Sequence, residues 1–133
     1  MAVKLKPTSP YYVLWLHVAR VLAGQTDTDE LAANATSLDR SKWPWPVVAL
    51  FIGSIAPDEA FKAASSAKQE STRIGYTCEA DFFVGVQQIA KGVPAAARSL
   101  LRSAVDHCPH GFFQYAAANF ELKRLDGSDQ PGH

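Results

Sequence analysis

Apolar residues recur at steps of three and four along most of the chain, the spacing that places side chains on one face of an α-helix. The first such stretch, residues 11–23, carries Tyr11, Leu14, Trp15 and Val18 in this pattern. Strict alternation of apolar and polar residues, which indicates a strand, is nearly absent. The pattern therefore predicts an all-α protein.

Glycines and prolines divide the helical pattern into seven predicted helices. The breaks fall at Gly24, Pro44, Gly53, Gly92 and Pro109. Glycine favours the end of a helix, and proline is tolerated only in its first turn. The second predicted helix follows Asp27 and carries Leu31, Ala35 and Leu38 on one face, and the others cover residues 11–23, 46–52, 57–67, 74–90, 94–107 and 112–125.

The connections between these helices are short. Asp27 is placed to cap the second helix, and the polar run 65–72 is predicted to connect the fourth helix to the fifth. The polar ends, 1–9 and 126–133, are expected to fray. We expect a single helical domain over residues 1–133, with an ordered core at about 10–125.

Residues 78–111 place small and large side chains in the order of a known helical repeat. Val84 and Gly85 lie where its first helix has Leu-Gly, and Pro109 lies where a proline closes the unit. The second helix fits the A-x3-F pattern through Ala97 and Leu101. The residues expected to pack this unit are Val84, Gly85, Ala97, Leu101, Ala104 and Pro109.

This segment resembles the tetratricopeptide repeat, a helical hairpin of about 34 residues. Asp81 and Gln88 depart from it, because they occupy the aromatic places of the pattern. Weaker matches begin at Trp15 and surround Gly53. The resemblance implies stacked antiparallel hairpins with the last helix as a cap, and a non-enzymatic scaffold that binds a protein or peptide. An ordinary helical bundle closing on one core is the alternative.

The resemblance also implies a binding surface, the wall formed by the uncovered face of each first helix. In this chain that wall would mix apolar and charged side chains, as a peptide-binding groove does. The alternative is that a neighbouring helix or the C-terminal cap covers these side chains. The residues of the expected wall are Leu16, Arg20, Glu79, Phe82, Val86 and Ile89.

Charge and hydropathy narrow the classes of partner. The chain has 133 residues, 47% of them hydrophobic, and its 13 Lys and Arg balance its 13 Asp and Glu. Without a net positive field, nucleic acid is not an expected partner. The longest apolar run, 44–56, is shorter than the roughly 20 residues of a membrane-spanning helix, so we expect no membrane span.

Two cysteines lie at the ends of the repeat-like unit. In an antiparallel hairpin, Cys78 and Cys108 fall at the same end, where a disulfide could form. Two free buried thiols are the alternative. A disulfide would indicate a periplasmic or secreted protein, whereas free thiols would leave a cytoplasmic location equally open.

Other chemistry has weaker support. His107, Cys108 and His110, with Cys78 nearby, could supply zinc ligands, but the regular spacing of a zinc motif is absent. A nucleophile built from Cys108 and His110 lacks an oxyanion donor. A small enzyme or metal-binding domain is therefore an alternative function, and no cofactor is expected. Self-association of an open end into a homodimer is a further alternative.

Overall fold

The computed structural model describes residues 9–25 and 28–129. These residues form seven α-helices and no strand, which confirms the all-α prediction. A short 3-10 turn, Ala35–Ser37, follows the second helix. The helices are α1 (Pro10–Leu22), α2 (Thr28–Asn34), α3 (Trp45–Ile52), α4 (Pro57–Ser65), α5 (Glu70–Ala90), α6 (Pro94–His107) and α7 (Phe113–Asp129).

The helix ends follow the glycines and prolines, with differences in the polar stretches. Gly53 ends α3 with φ of 96°, a left-handed conformation that suits glycine. Helix α5 begins at Glu70, four residues before the predicted start, because polar residues are also accommodated on the exposed side of a first turn. Helix α7 likewise continues to Asp129. Asp27, the predicted cap of the second helix, lies outside the described residues.

Helices α5 and α6 form an antiparallel hairpin. Cys108 at the end of α6 is bonded to Cys78 in the first half of α5. Further along the pair, Leu101 of α6 lies against Gly85 of α5. The partner number falls as the α5 number rises, so the two helices run in opposite directions.

Gly85 is a point of close contact between the two helices. A Cβ atom built on Gly85 would lie 3.0 Å from Cδ2 and 3.1 Å from Cγ of Leu101, closer than atoms pack without adjustment. Val84, Ala97, Leu101 and Ala104 are buried at this crossing, while Pro109 is exposed just beyond α6. The small residue therefore lets the leucine sit directly on the α5 backbone.

The remaining helices pack in chain order, and three of them also contact α5. α1 contacts α2, α3 contacts α4, α4 contacts α5, and α7 packs on α6. In addition, α1 reaches α5 directly, as do α3 and α7. Residues 78–87 of α5 are consequently all buried, as expected of a helix that is covered on every side. The fold is thus a stack of helical hairpins with α5 at its centre.

Aromatic rings join α1 and α3 to α5 in the main core. The Trp15 ring of α1 lies 5.4 Å from the Phe82 ring and 5.7 Å from the Phe83 ring. Phe51 of α3 meets Phe83 edge to face at 6.2 Å. Offset and edge-to-face pairs of this kind stabilise a core beyond the burial of their area. Within the described residues, none of the helices is long and apolar enough to cross a lipid bilayer.

Candidate functional site

The wall predicted from the sequence is largely covered. Phe82 and Val86 are completely buried, and Glu79 is only 6% exposed. The expectation that these side chains line an open surface is therefore corrected: α1 lies across this face of α5 and places Trp15 against Phe82.

The other three residues of that expected wall are only partly exposed. Leu16, Arg20 and Ile89 are half-buried. The Arg20 guanidinium pairs with the Glu30 carboxylate of α2, which ties α1 to α2. None of the three is among the residues that line the cavity beside Glu79, and their role in partner binding remains a prediction.

A different surface, at one end of the α1–α5 contact, forms a small cavity. It has a volume of about 300 Å³ and is bordered by α1, α5 and the start of α7. We call it the aromatic pocket. Its lining residues are Tyr11, Trp15, Glu79, Gly111, Phe112, Phe113 and Gln114.

Local sequence explains why these rings meet. Tyr11 and Trp15 are four residues apart on α1 and therefore lie on the same face. Phe112, which precedes α7, packs against α5 at Gly75. The contact is close, because a Cβ atom built on Gly75 would lie 3.3 Å from Cζ of the Phe112 ring. The backbone N–H of Phe112 donates to the Pro109 carbonyl at 3.0 Å, which turns the chain from α6 into α7.

The disulfide holds this turn beside the pocket. The Cα atoms of Cys78 and Cys108 are 4.9 Å apart, and both residues are buried. Cys78 directly precedes Glu79, and Cys108 begins the loop that carries Gly111 and Phe112. The crosslink thus ties the pocket's carboxylate and its aromatic wall to one point.

Glu79 is a buried carboxyl group in this pocket. Burial raises the pKa of Glu79. The neighbouring Tyr11 hydroxyl and Trp43 indole stabilise the anion, which offsets only part of this rise. The pKa of Tyr11 is raised by its own burial and by the charge of Glu79. Within the described residues, Oε1 of Glu79 and Nε1 of Trp43 have no hydrogen-bond partner. These two atoms belong to neighbouring groups, because the Trp43 indole is one of the groups that stabilise the Glu79 anion.

A second polar cluster joins α5 to α6 and was not predicted. The Ser103 hydroxyl donates to Oδ2 of the buried Asp81 at 2.8 Å, and Nδ1 of His107 donates to the Ser103 carbonyl at 2.9 Å. Burial raises the pKa of Asp81, and Ser103 and His107 partly offset this. The only sequence signal is the four-residue spacing of Ser103 and His107.

This Asp–Ser–His cluster does not have the geometry of a nucleophile. A catalytic serine gives its proton to a histidine that a carboxylate orients. Here the Ser103 proton goes to Asp81, and the adjacent His107 nitrogen carries a proton of its own. The arrangement is suited to holding α5 and α6 together.

The disulfide bears on the two alternative roles of Cys108, as a zinc ligand and as a nucleophile. While Cys108 is bonded to Cys78, its sulfur is neither a thiolate nucleophile nor a metal ligand. The His110 ring stacks on Tyr115 at 4.4 Å. In the described part of the chain, no group of three or more His, Cys, Asp or Glu side chains is placed to hold a metal ion.

Comparison with known proteins adds one finding to this geometry. No protein-family model matches the chain. Among curated proteins, it is similar to the "Lipoprotein NlpI homolog" of Haemophilus influenzae, with 28% identity over 118 residues. The alignment covers 87% of this chain but 38% of that protein. The chain thus spans well under half the length of this relative.

Proposed function

We propose that this chain is a non-enzymatic interaction module that binds a protein through a peptide segment seated in the aromatic pocket. The observation that carries this proposal is the pocket's composition: four aromatic residues and the acidic Glu79 line one cavity. Aromatic side chains are enriched where proteins anchor one another.

The scaffold suits this role because the pocket is built from regular elements. Tyr11 and Trp15 come from α1, and Glu79 comes from the central helix α5. Sites on packed helices keep their geometry better than sites on free loops. The tetratricopeptide-like packing of α5 and α6, and the similarity to a longer lipoprotein, agree with a module that acts as part of a larger assembly.

The test is affinity purification from the source cell with a matched pair of variants. Phe113 lines the pocket and is 48% exposed, whereas Phe120 lies on the same helix, is 64% exposed and is not among the lining residues. A partner that binds through the pocket is captured by the wild type and by Phe120→Ala, and is lost with Phe113→Ala. Equal capture by both variants would contradict the pocket as the binding site.

Self-association is a second candidate function, favoured by α7. Phe113 and Phe120 are exposed seven residues apart, so they lie on one side of the helix that was expected only to cap the stack. Because the same apolar side would be present on both copies, two copies could pair through it with two-fold symmetry. Light scattering should then detect a dimer in the wild type and a monomer in Phe120→Glu; a monomeric wild type would eliminate this candidate.

We also infer that the chain works in an oxidising compartment outside the cytoplasm. The pairing of Cys78 with Cys108 supports this inference, because such bonds persist mainly in secreted and periplasmic proteins. The word lipoprotein in the name of the relative agrees with it. Detection of both cysteines as free thiols in protein isolated from its native compartment would refute it.

A further inference from the structure

We propose that the aromatic pocket binds the ammonium group of a lysine side chain from the partner peptide. This inference rests on the proposed function and names the chemistry of its anchor. It follows from three properties of the pocket: the sign of its charge, the nature of its walls and the number of acceptor atoms it offers.

The charge of the pocket favours a cation. Glu79 is its acidic residue, and no lysine, arginine or histidine is among the residues that line it. The Glu79 residue is only 6% exposed, so water screens its charge weakly. An ionised carboxylate in such a site is stabilised by a paired charge.

The walls provide a second attraction for the same ligand. Tyr11, Trp15, Phe112 and Phe113 surround the cavity, and the faces of aromatic rings attract cations. A lysine side chain also has an apolar stem of four carbons, which packs on such rings while its ammonium group reaches a polar site. Phe113, at 48% exposure, lies at the accessible edge of the pocket.

The acceptor geometry favours lysine over arginine. An arginine guanidinium is bound best by two carboxylate oxygens at once, whereas Oε1 of Glu79 is completely buried, so the two oxygens are not both open to one ligand. An ammonium group is a compact charge that needs no paired acceptors. A volume of about 300 Å³ is at the lower end of ligand pockets, and is therefore suited to one side chain.

A second aromatic cavity in the molecule shows the opposite character. It lies beside Trp43 and Tyr76, and it is bordered by Arg40 and Lys42. Arg40 already lies 5.0 Å from the centre of the Trp45 ring. A cationic ligand would be repelled there, so selectivity for an ammonium group is expected at the aromatic pocket.

The experiment measures binding of two small probes that differ in charge. N-acetyl-lysine methylamide and its norleucine counterpart are titrated into the oxidised protein, and the Trp15 indole N–H signal is followed by NMR. We expect the lysine probe to shift this signal and to bind about tenfold more tightly than norleucine, the size of effect that a charge-assisted hydrogen bond gives. Phe113→Ala should weaken binding of the lysine probe.

Glu79→Gln is the variant that tests the carboxylate, since it keeps the shape of the side chain and removes the charge. It should abolish the preference for lysine. Glu121→Gln is the matched control, because Glu121 is also a buried acid, at 4% exposure, but does not line the pocket. Retention of the preference in Glu79→Gln, with a native NMR spectrum, would overturn the inference.

A peptide array separates this inference from the proposed function. Peptides that bind the wild type but not Phe113→Ala, and that lose binding when one lysine is acetylated, support both. Phe113-dependent peptides that contain no required lysine would overturn the inference while leaving peptide binding in place. A lysine preference of the small probe without any peptide binder would support the ammonium site and count against the interaction module.

Discussion

Replacement of Gly85 by alanine tests the packing of α5 against α6. The new methyl carbon would lie 3.0 Å from Cδ2 of Leu101 and 3.5 Å from Cβ of Leu100. Leu101 is completely buried, so it has no solvent into which to move. Adding a methyl group to a tightly packed core costs about 1–3 kcal/mol.

The higher helix propensity of alanine offsets part of this loss of stability. Alanine is favoured over glycine inside a helix by about 1 kcal/mol. The free energy of unfolding of Gly85→Ala should therefore fall by up to about 2 kcal/mol, the difference of these two ranges. Urea unfolding followed by far-UV circular dichroism measures this change.

A double-mutant cycle identifies the contact responsible. In a Leu101→Ala background the clashing atoms are gone, so Gly85→Ala should become stabilising by up to about 1 kcal/mol. Gly127→Ala is the matched control, since it lies in α7 with nothing within 4 Å of the added carbon, and it should not destabilise. If Gly85→Ala stabilised the wild type as much as Gly127→Ala does, the close approach of α5 and α6 would be refuted.

Two further predictions concern the groups around the pocket. Replacing Cys78 and Cys108 together by serine should lower the free energy of unfolding by about 3–4 kcal/mol, since the bond closes a loop of about 30 residues; an unchanged urea midpoint between oxidised and reduced wild type would contradict this. Burial raises the folded-state pKa of Glu79 above its ordinary 4.5, so the folded chain binds more protons than the unfolded chain. The stability linked to Glu79 is thus fully present below the ordinary pKa and is lost as the pH rises through the raised value. Unfolding measured from about pH 4 to pH 8 should show this decline, and Glu79→Gln should reduce it; identical profiles for the two proteins would exclude it.

Much of the fold could be predicted because it depends on local chemistry. The observed bounds of α6 are those predicted, since Pro94 fits a first turn and Pro109 follows the end. The crossing of Gly85 with Leu101 could be inferred because the repeat pattern encodes it as a size rule. The start of α5 was missed because the residues after Gln69 are polar, and polar residues suit both a connector and an exposed helical turn.

The aromatic pocket could not be predicted in the same way, because it depends on which helices pack against each face of α5. A helical pattern identifies the apolar face that contains Phe82 and Val86, but it does not say what packs there. Helix α3 has only eight residues, too few to cover the 21 residues of α5, and α1 also packs against α5.

The packing of α1 against α5 changes the environment of two residues that the sequence placed on an exposed wall. Phe82, expected to contact a partner, becomes a core residue, and its replacement by alanine would report on stability rather than binding. Glu79, expected at the same exposed wall, instead lines a cavity whose other rings come from α1 and the start of α7. Glu79 lines a cavity because α1 covers only part of this face: Trp15 contacts Phe82, while the cavity lies beside Glu79.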